Sequence, residues 1–384
     1  MPWPPHLYRI QAKKLGFSAE ATDRLVDVFA KLQEQRLPAV LSLKHLALLT
    51  GSQYGYLRHV VARTAQHPYR FFNIRKRRGG SRTICAPEKS LLRVQRWISK
   101  NILSKIPAHP GSFAYGKGQS ALECARYHCG CQWLVKVDAE QFFESITEKQ
   151  AFHVFAEVGY PKLLAFEMAR ICTRILVRDK KGNKKSTAKQ RAARWINQNE
   201  ASYAIEEYRE RELGHLPQGA ATSPLLSNLI CRSLDENLAV LAKKRNLLFS
   251  RYSDDIVFSS GDRSFNRAKA KKLIGEVYEI LKSNGLRPKR AKTSVAPPGA
   301  RKVVLGLLVN GGQPRLQRKF KSRLRQHIYY LRTRTPREHM SERGFKSLYS
   351  MRAHIAGLLT YAKFVEPDFA SPLIAEFERV EFPF

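Results

Sequence analysis

Apolar residues recur at helical spacing through residues 6–66, most clearly in LSLKHLALLTG (41–51) and YGYLRHVVART (54–64), which predicts an N-terminal helical extension. At 69–87 the pattern changes. YRFFNIRKRRGGSRTICAP reads as two short strands around a cationic tip (Arg75, Lys76, Arg77, Arg78) and Gly79-Gly80, a β-hairpin. A helix follows over 88–106, with Leu91, Val94, Ile98 and Ile102 on one stripe. WLVKVD (133–138) is a short apolar run ending on Asp138. Residues 216–241 open as a turn and continue as one helix, with Ser223 as its N-cap, Pro224 as its first residue, and Leu226, Ile230, Leu234 and Leu238 facing the core. An amphipathic helix over 264–284 closes at Asn284-Gly285, and VVLGLLVN (303–310) reads as a buried strand. Over 315–337, Arg318, Lys321, Arg325 and Arg332 share one helix face, while Phe320, Leu324, Ile328 and Leu331 share another.

One interruption of this pattern carries chemistry. LLFSRYSDDIVFSS (247–260) sets two adjacent aspartates, Asp254 and Asp255, between apolar, strand-like runs. Two carboxylates at such a tip repel each other and lose hydration unless positive charge sits there, and a divalent metal on a polyphosphate supplies it. The chain also offers a third carboxylate, Asp138, and a Gln218-Gly219 turn.

Charge narrows the partner. The 384 residues carry 68 Lys plus Arg against 32 Asp plus Glu, a formal charge of +36, which points to a polyanion, nucleic acid above all. No apolar span, amphipathic anchor or secretory h-region is evident, so the expectation is a cytoplasmic protein without a membrane partner. The six cysteines form no CxxC pair. Cys129-Gly130-Cys131 beside His128 has the wrong spacing for a zinc knuckle, and reduced thiols are the better reading. Residues 174–194 hold nine Lys or Arg and one acid, Asp179, which reads as an inserted basic loop running to 212 with a helix near 195–211.

The order of features is the set that nucleotidyl transfer requires: carboxylates on different strands for two Mg²⁺, and cations for the remaining phosphate charge. From about Tyr69 to Phe377 the chain resembles reverse transcriptases, specifically the bacterial retron type. YSDD (252–255) matches the YxDD box, VKVDAEQFFESI (135–146) the first carboxylate box, and LPQGAATSPLLSNLI (216–230) the next. GLRPKRAKTSV (285–295) resembles the lysine-bearing box and VLGLLVN (304–310) the primer-grip strand.

The resemblance implies an α+β, right-hand polymerase fold: an N-terminal helical extension (1–66), fingers and a palm with a small antiparallel sheet (67–312, with the 174–212 insertion), and a helical thumb (313–384). It implies Asp138 and Asp254 as the main metal ligands and Asp255 as the third acid, with the Ala139 carbonyl completing one shell. The ions would be two Mg²⁺, with Mn²⁺ as a substitute. Phe143 would lie under the sugar of the incoming dNTP and reject a 2′-hydroxyl; if this segment is extended, only one of Phe142 and Phe143 points inward. Gln218 and Gly219 would line the nucleotide pocket. Arg82 would reach the triphosphate with Lys76 nearby, and Lys292 would donate a proton to pyrophosphate or contact a phosphate.

The retron type implies a structured noncoding RNA as template and primer, a guanosine 2′-hydroxyl as priming group, a branched RNA-linked DNA product, and an effector protein encoded nearby for antiphage defence. The thumb cations Arg318, Lys321, Arg325 and Arg332 and the N-terminal helices are the expected RNA surfaces. Two retron boxes depart from pattern: Cys124-Ala125-Arg126-Tyr127-His128 carries cysteine where Asn-Ala-x-x-His is usual, and Val304-Leu305-Gly306 stands where Val-Thr-Gly is usual. The alternatives are an abortive-infection or other defence-type reverse transcriptase, and a non-catalytic RNA-binding scaffold on the same fold. An intron-type enzyme would need further domains after the thumb.

Overall fold

The computed structural model describes residues 5–14, 16–65, 68–75, 80–175 and 213–383. Lys76 and the expected helix near 195–211 lie outside them.

Four helices come first: α1 (Pro5–Lys14), α2 (Ala19–Glu34), α3 (Leu43–Thr50) and α4 (Tyr54–Val61). Serines open two of them, since Ser18 Oγ accepts from Ala21 N and Ser42 Oγ from His45 N, both at 3.2 Å. Helix α3 stops at Gly51, whose φ of 61° is left-handed. The expected hairpin forms as β1 (Tyr69–Arg75) and β2 (Ser81–Pro87), in register from Tyr69↔Pro87 to Arg75↔Ser81. Helix α5 (Lys89–Asn101) buries Leu91, Val94 and Ile98 completely, each contributing about 1.5–3 kcal/mol of transfer free energy. A 3₁₀ turn over Leu103–Lys105 ends the predicted 88–106 segment.

Next come α6 (Ala121–Tyr127), β3 (Trp133–Glu140), α7 (Phe142–Ser145), α8 (Glu148–Val158), α9 (Lys162–Cys172), α10 (Ser223–Ile230) and α11 (Arg232–Lys244). The single helix expected over 216–241 is therefore two, broken at Cys231. Ser223 is not the cap. Thr222 holds that position, and Ser223 Oγ donates to the Pro217 carbonyl at 2.8 Å, closing the turn instead of the helix end.

Strands β4 (Leu248–Tyr252) and β5 (Asp255–Ser260) precede α12 (Arg267–Ser283), β6 (Arg287–Pro288), β7 (Ser294–Ala296), β8 (Val303–Val304), β9 (Leu307–Leu308) and β10 (Arg315–Leu316). The strand expected over 303–310 is a tight hairpin, because Leu305 (φ 47°) and Gly306 (φ 90°) both take the left-handed conformation that a two-residue hairpin turn requires. Helices α13 (Arg318–Thr333), α14 (Pro336–Glu342), α15 (Leu348–Val365) and α16 (Pro367–Glu378) complete the chain.

The chain divides into two units: residues 1–117, 138–239 and 277–289, and residues 118–137, 240–276 and 290–384. In the first, α8 and α9 enclose a buried ionic cluster. Glu148, 1% exposed, pairs with both Arg63 and Arg170, and Arg63 also donates to the Thr173 carbonyl at 2.6 Å. Beside it His215 bridges Arg174, with N–H···O bonds of 3.0 and 2.9 Å in the two directions. In the second unit β4 pairs with β5, β7 pairs with β3, and α13 packs with α14, α15 and α16. Glu366 ties this helical end together, accepting from Leu316 N and Lys321 Nζ, both at 2.7 Å. Among the described residues no helix is long and apolar enough to cross a membrane. Helices and antiparallel sheets in separate runs make the fold α+β.

Candidate active site

Asp254 and Asp255 stand where two buried strands turn. Tyr252 pairs with Asp255, so Ser253 and Asp254 form a two-residue loop and Asp255 begins β5. Ser253 takes φ 58°, a conformation a non-glycine residue holds only when its surroundings impose it. One cause is visible: the fully buried Arg251 donates through Nη1 to the Ser253 carbonyl at 3.1 Å. Packing of Phe249, Ile256 and Phe258 fixes the strands beneath the turn. A lone arginine in an apolar strand was the sequence signal for this brace.

Asp138 lies on β3 and is 4% exposed. Its strand runs two residues beyond it, with Ala139 opposite Pro288 and Glu140 opposite Arg287, and the Asp138 carbonyl accepts from Lys289 N at 2.7 Å. Gln141 then turns left-handed (φ 47°) and starts α7. The segment bearing Phe142 and Phe143 is thus a helical turn, not an extended run. Phe142 is buried at 4% exposure; Phe143 is half-buried, its ring edge-on at 5.4 Å.

The structure joins the Gln218-Gly219 turn to the fingers hairpin. Cys85 N donates to the Gln218 carbonyl at 2.7 Å. Gly219 has φ 119°, and a Cβ there would lie 2.8 Å from Ile84 Cγ2 and 3.0 Å from the Cys85 carbonyl oxygen, so glycine alone fits. Arg82 is exposed on the same strand, opposite Ile74. Lys292 is exposed in a 3₁₀ turn over Arg290–Lys292, within the second unit.

The thumb cations differ among themselves. Arg318 is exposed at the start of α13. Lys321 is engaged with Glu366 and sits 4.8 Å from the Phe369 ring centroid; Arg325 lies 5.1 Å from the same ring. Arg332 only approaches Glu376, at 4.0 Å.

The box holding Cys124 and His128 meets two serines that the sequence did not connect with it. His128 ends α6 and is fully buried, with Nδ1 2.6 Å from Ser259 Oγ and Nε2 2.7 Å from Ser250 Oγ; Cys124 Sγ lies 3.3 Å from the same Ser250 hydroxyl. Burial pushes the His128 imidazole down to about 3 and the Cys124 thiol up to about 11, so both are neutral near pH 7.

Among the described residues no group of three or more His, Cys, Asp or Glu forms a ready-made metal cage. The expected ligands are all oxygens, carboxylates and one backbone carbonyl. That donor set fits a hard divalent cation whose shell phosphate and water complete.

Comparison with known proteins agrees with the motifs. A family model described as reverse transcriptase (RNA-dependent DNA polymerase) matches residues 74–320. The retron Ec86 reverse transcriptase of Escherichia coli is 28% identical over 78% of this chain and 81% of its own length. The retron Mx162 reverse transcriptase of Myxococcus xanthus is 31% identical over 76% of this chain and 59% of its own. The retron Mx65 reverse transcriptase of the same organism is 28% identical over 90% and 73%. Among solved structures, telomerase from Candida albicans with a fragment of telomeric RNA superposes with a TM-score of 0.41 at 11% identity, over 81% of this chain and 63% of that one. The family match spans β2 through the start of α13 and includes the carboxylate strand, the Gln-Gly turn and the aspartate hairpin: the chain belongs to the reverse transcriptase (RNA-dependent DNA polymerase) family and is of the retron type.

Proposed function

We propose that this chain binds its own structured noncoding RNA and copies part of it into a branched, RNA-linked single-stranded DNA, priming from a guanosine 2′-hydroxyl and acting with an effector protein in antiphage defence in the cytoplasm. The observation that carries the reading is the pair of adjacent carboxylates, Asp254 and Asp255, at the tip of a hairpin with buried strands in a chain of this family. Two like charges set so close call for a cation between them.

Asp138, Asp254 and Asp255, with the Ala139 carbonyl, would hold two divalent ions, Mg²⁺ or Mn²⁺. Divalent ions held by these residues would supply Lewis-acid activation of the attacking hydroxyl and positive charge for the pyrophosphate leaving group. The chain's own groups do the rest. Phe143 excludes a 2′-hydroxyl from the sugar site. Gln218 and Gly219 line the nucleotide pocket. Arg82, with Lys76, takes triphosphate charge, and Lys292 serves the leaving group. Arg318 and its neighbours on α13 lie along RNA phosphates.

Co-expression with the DNA flanking the gene, followed by sequencing of the copurified nucleic acid, tests the reading. The Asp254→Asn, Asp255→Asn double variant runs alongside. Short RNA-linked DNA found only with the intact acids supports it. RNA without DNA from both proteins points to a scaffold, and protein-linked or untemplated DNA to the abortive-infection class.

A further inference from the structure

The aspartate hairpin contains two hydroxyls that its packing does not call for. Ser250 and Ser259 are 0% and 2% exposed, in strands that bury Phe249, Ile256, Val257 and Phe258 beside Arg251 and Ser260. Buried hydroxyls cost free energy unless they are hydrogen-bonded. Register puts them on one face of the hairpin: Ser250 opposes Val257, so Ser259 is its diagonal neighbour, on the face that also carries Tyr252 and Asp255. Diagonal neighbours stand ~7–8 Å apart. An imidazole with a hydrogen bond at each nitrogen spans that gap, and His128 does so at 2.6 and 2.7 Å.

The imidazole is itself anchored. It ends α6, and the residues after it are tied to the surrounding sheet: Gly130 N donates to the Val309 carbonyl at 3.0 Å and Gln132 N to the Ser260 carbonyl at 2.8 Å. Cys124, one turn earlier on α6, contacts the Ser250 hydroxyl from the other side. Either neutral tautomer satisfies both serines, one as donor and one as acceptor. The result is a cross-brace between β4 and β5, four residues from Asp254 on one strand and four from Asp255 on the other.

We infer that His128 is a positioning residue for nucleotidyl transfer: by bridging Ser250 and Ser259 it locks the register and tilt of the β4–β5 hairpin and so fixes where the Asp254 and Asp255 carboxylates stand. This rests on the proposal that those two acids are catalytic. The brace is buried, so its loss acts on where the carboxylates stand, and through them on the metal they would hold, and not on dNTP or RNA binding.

The test uses the protein with a primed RNA template and five variants: His128→Ala, His128→Gln, Ser259→Ala, Asp254→Asn and Phe265→Leu, the last at a buried ring packed edge-on against Trp133. His128→Ala is expected to lower kcat about tenfold to a hundredfold, the range that small misplacement of reacting groups produces. It should raise the Mg²⁺ concentration for half-maximal activity several-fold, while the KM for dNTP and the RNA affinity stay within about twofold of wild type. Amide exchange across 249–258 should speed up without any metal present. His128→Gln, which keeps a donor and an acceptor, should recover part of the loss. Ser259→Ala should add little to His128→Ala, because one bridge is already broken. Phe265→Leu, chosen to match the loss of thermal stability, is the structural control. The inference is overturned if His128→Ala and Ser259→Ala keep wild-type kcat and Mg²⁺ dependence, or if Phe265→Leu reproduces both changes. Should His128→Ala not fold, His128→Gln and Ser259→Ala decide alone. If Asp254→Asn still makes DNA, the underlying reading fails; if Asp254→Asn is inactive and the brace variants are normal, only this inference fails.

Discussion

The backbone N–H of Cys85 donates to the carbonyl of Gln218 at 2.7 Å, which ties strand β2 to the Gln-Gly turn. Gly219 makes the contact possible by leaving no Cβ against Ile84 and Cys85. Gly219→Ala should destabilise the protein by roughly 1–3 kcal/mol through left-handed strain and the clash. It should also raise the KM for dNTP, because Ile84 and Cys85 must give way. Thermal denaturation and single-nucleotide extension read the two effects.

On the proposed reading, Phe142 and Phe143 divide structure from selectivity. Phe143→Ala should admit ribonucleotides, raising their incorporation relative to dNTPs by about tenfold or more, because the steric bar to a 2′-hydroxyl is removed. Phe142→Ala empties a core site instead. It should cost about 3–5 kcal/mol and leave sugar discrimination intact. Competitive incorporation assays distinguish them.

Glu148 answers two guanidiniums from a site 1% exposed. Removing one partner of such a cluster strands the others. Glu148→Ala should therefore lose about 3–5 kcal/mol in denaturant unfolding, well beyond what its methylenes contribute. A surface pair offers the contrast: Glu20→Ala, whose partner Arg24 is largely exposed, should change stability by less than about 1 kcal/mol.

Two buried histidines give the fold an acid limit. Burial pushes His128 down to about 3; burial, with His339 and Arg343 adding to it, pushes His327 down to about 4. Both are depressed, so the unfolded chain binds more protons between those values and its ordinary pKa of about 6.5. The stability is fully present above pH 6.5 and is lost as pH falls. For His128 the loss approaches about 1.4 kcal/mol per pH unit below 6.5. Melting curves from pH 7.5 to 5 should show this decline, and His128→Gln should flatten it.

The cations of α13 should divide by function. Arg318→Gln should weaken RNA binding and reduce the slope of log K against log salt by about one. Lys321→Gln should act mainly on stability, because it detaches Glu366 from one of its two partners. Filter binding across a salt series, beside melting curves, separates them.

Much of this was readable along the chain, for reasons particular residues make plain. The cationic tip and Gly79-Gly80 between YRFFNIR and SRTICAP mark where the chain must reverse, and the β1–β2 hairpin forms around that point. Ordered boxes around Asp138, Gln218 and Asp254 carried the family. What stayed hidden is non-local or below the resolution of periodicity. The break at Cys231 leaves the four-residue spacing of Leu226, Ile230, Leu234 and Leu238 intact, so the pattern cannot register it. VVLGLLVN is equally apolar as a strand or as a hairpin; only the left-handed Leu305 and Gly306 decide. His128 meets Ser250 and Ser259 across 122 and 131 residues; the boxes beside His128 and Ser250 mark each segment, but no spacing along the chain links them.

The bridge between Arg174 and His215 gives the fold an address at which sequence can be exchanged. A loop whose two stems are already clasped adds little closure entropy when it grows, ~0.6 kcal/mol for each doubling of its length. Chain length between residues 175 and 213 is therefore decoupled from the stability of the core beneath: doubling it should cost the fold no more than that closure term.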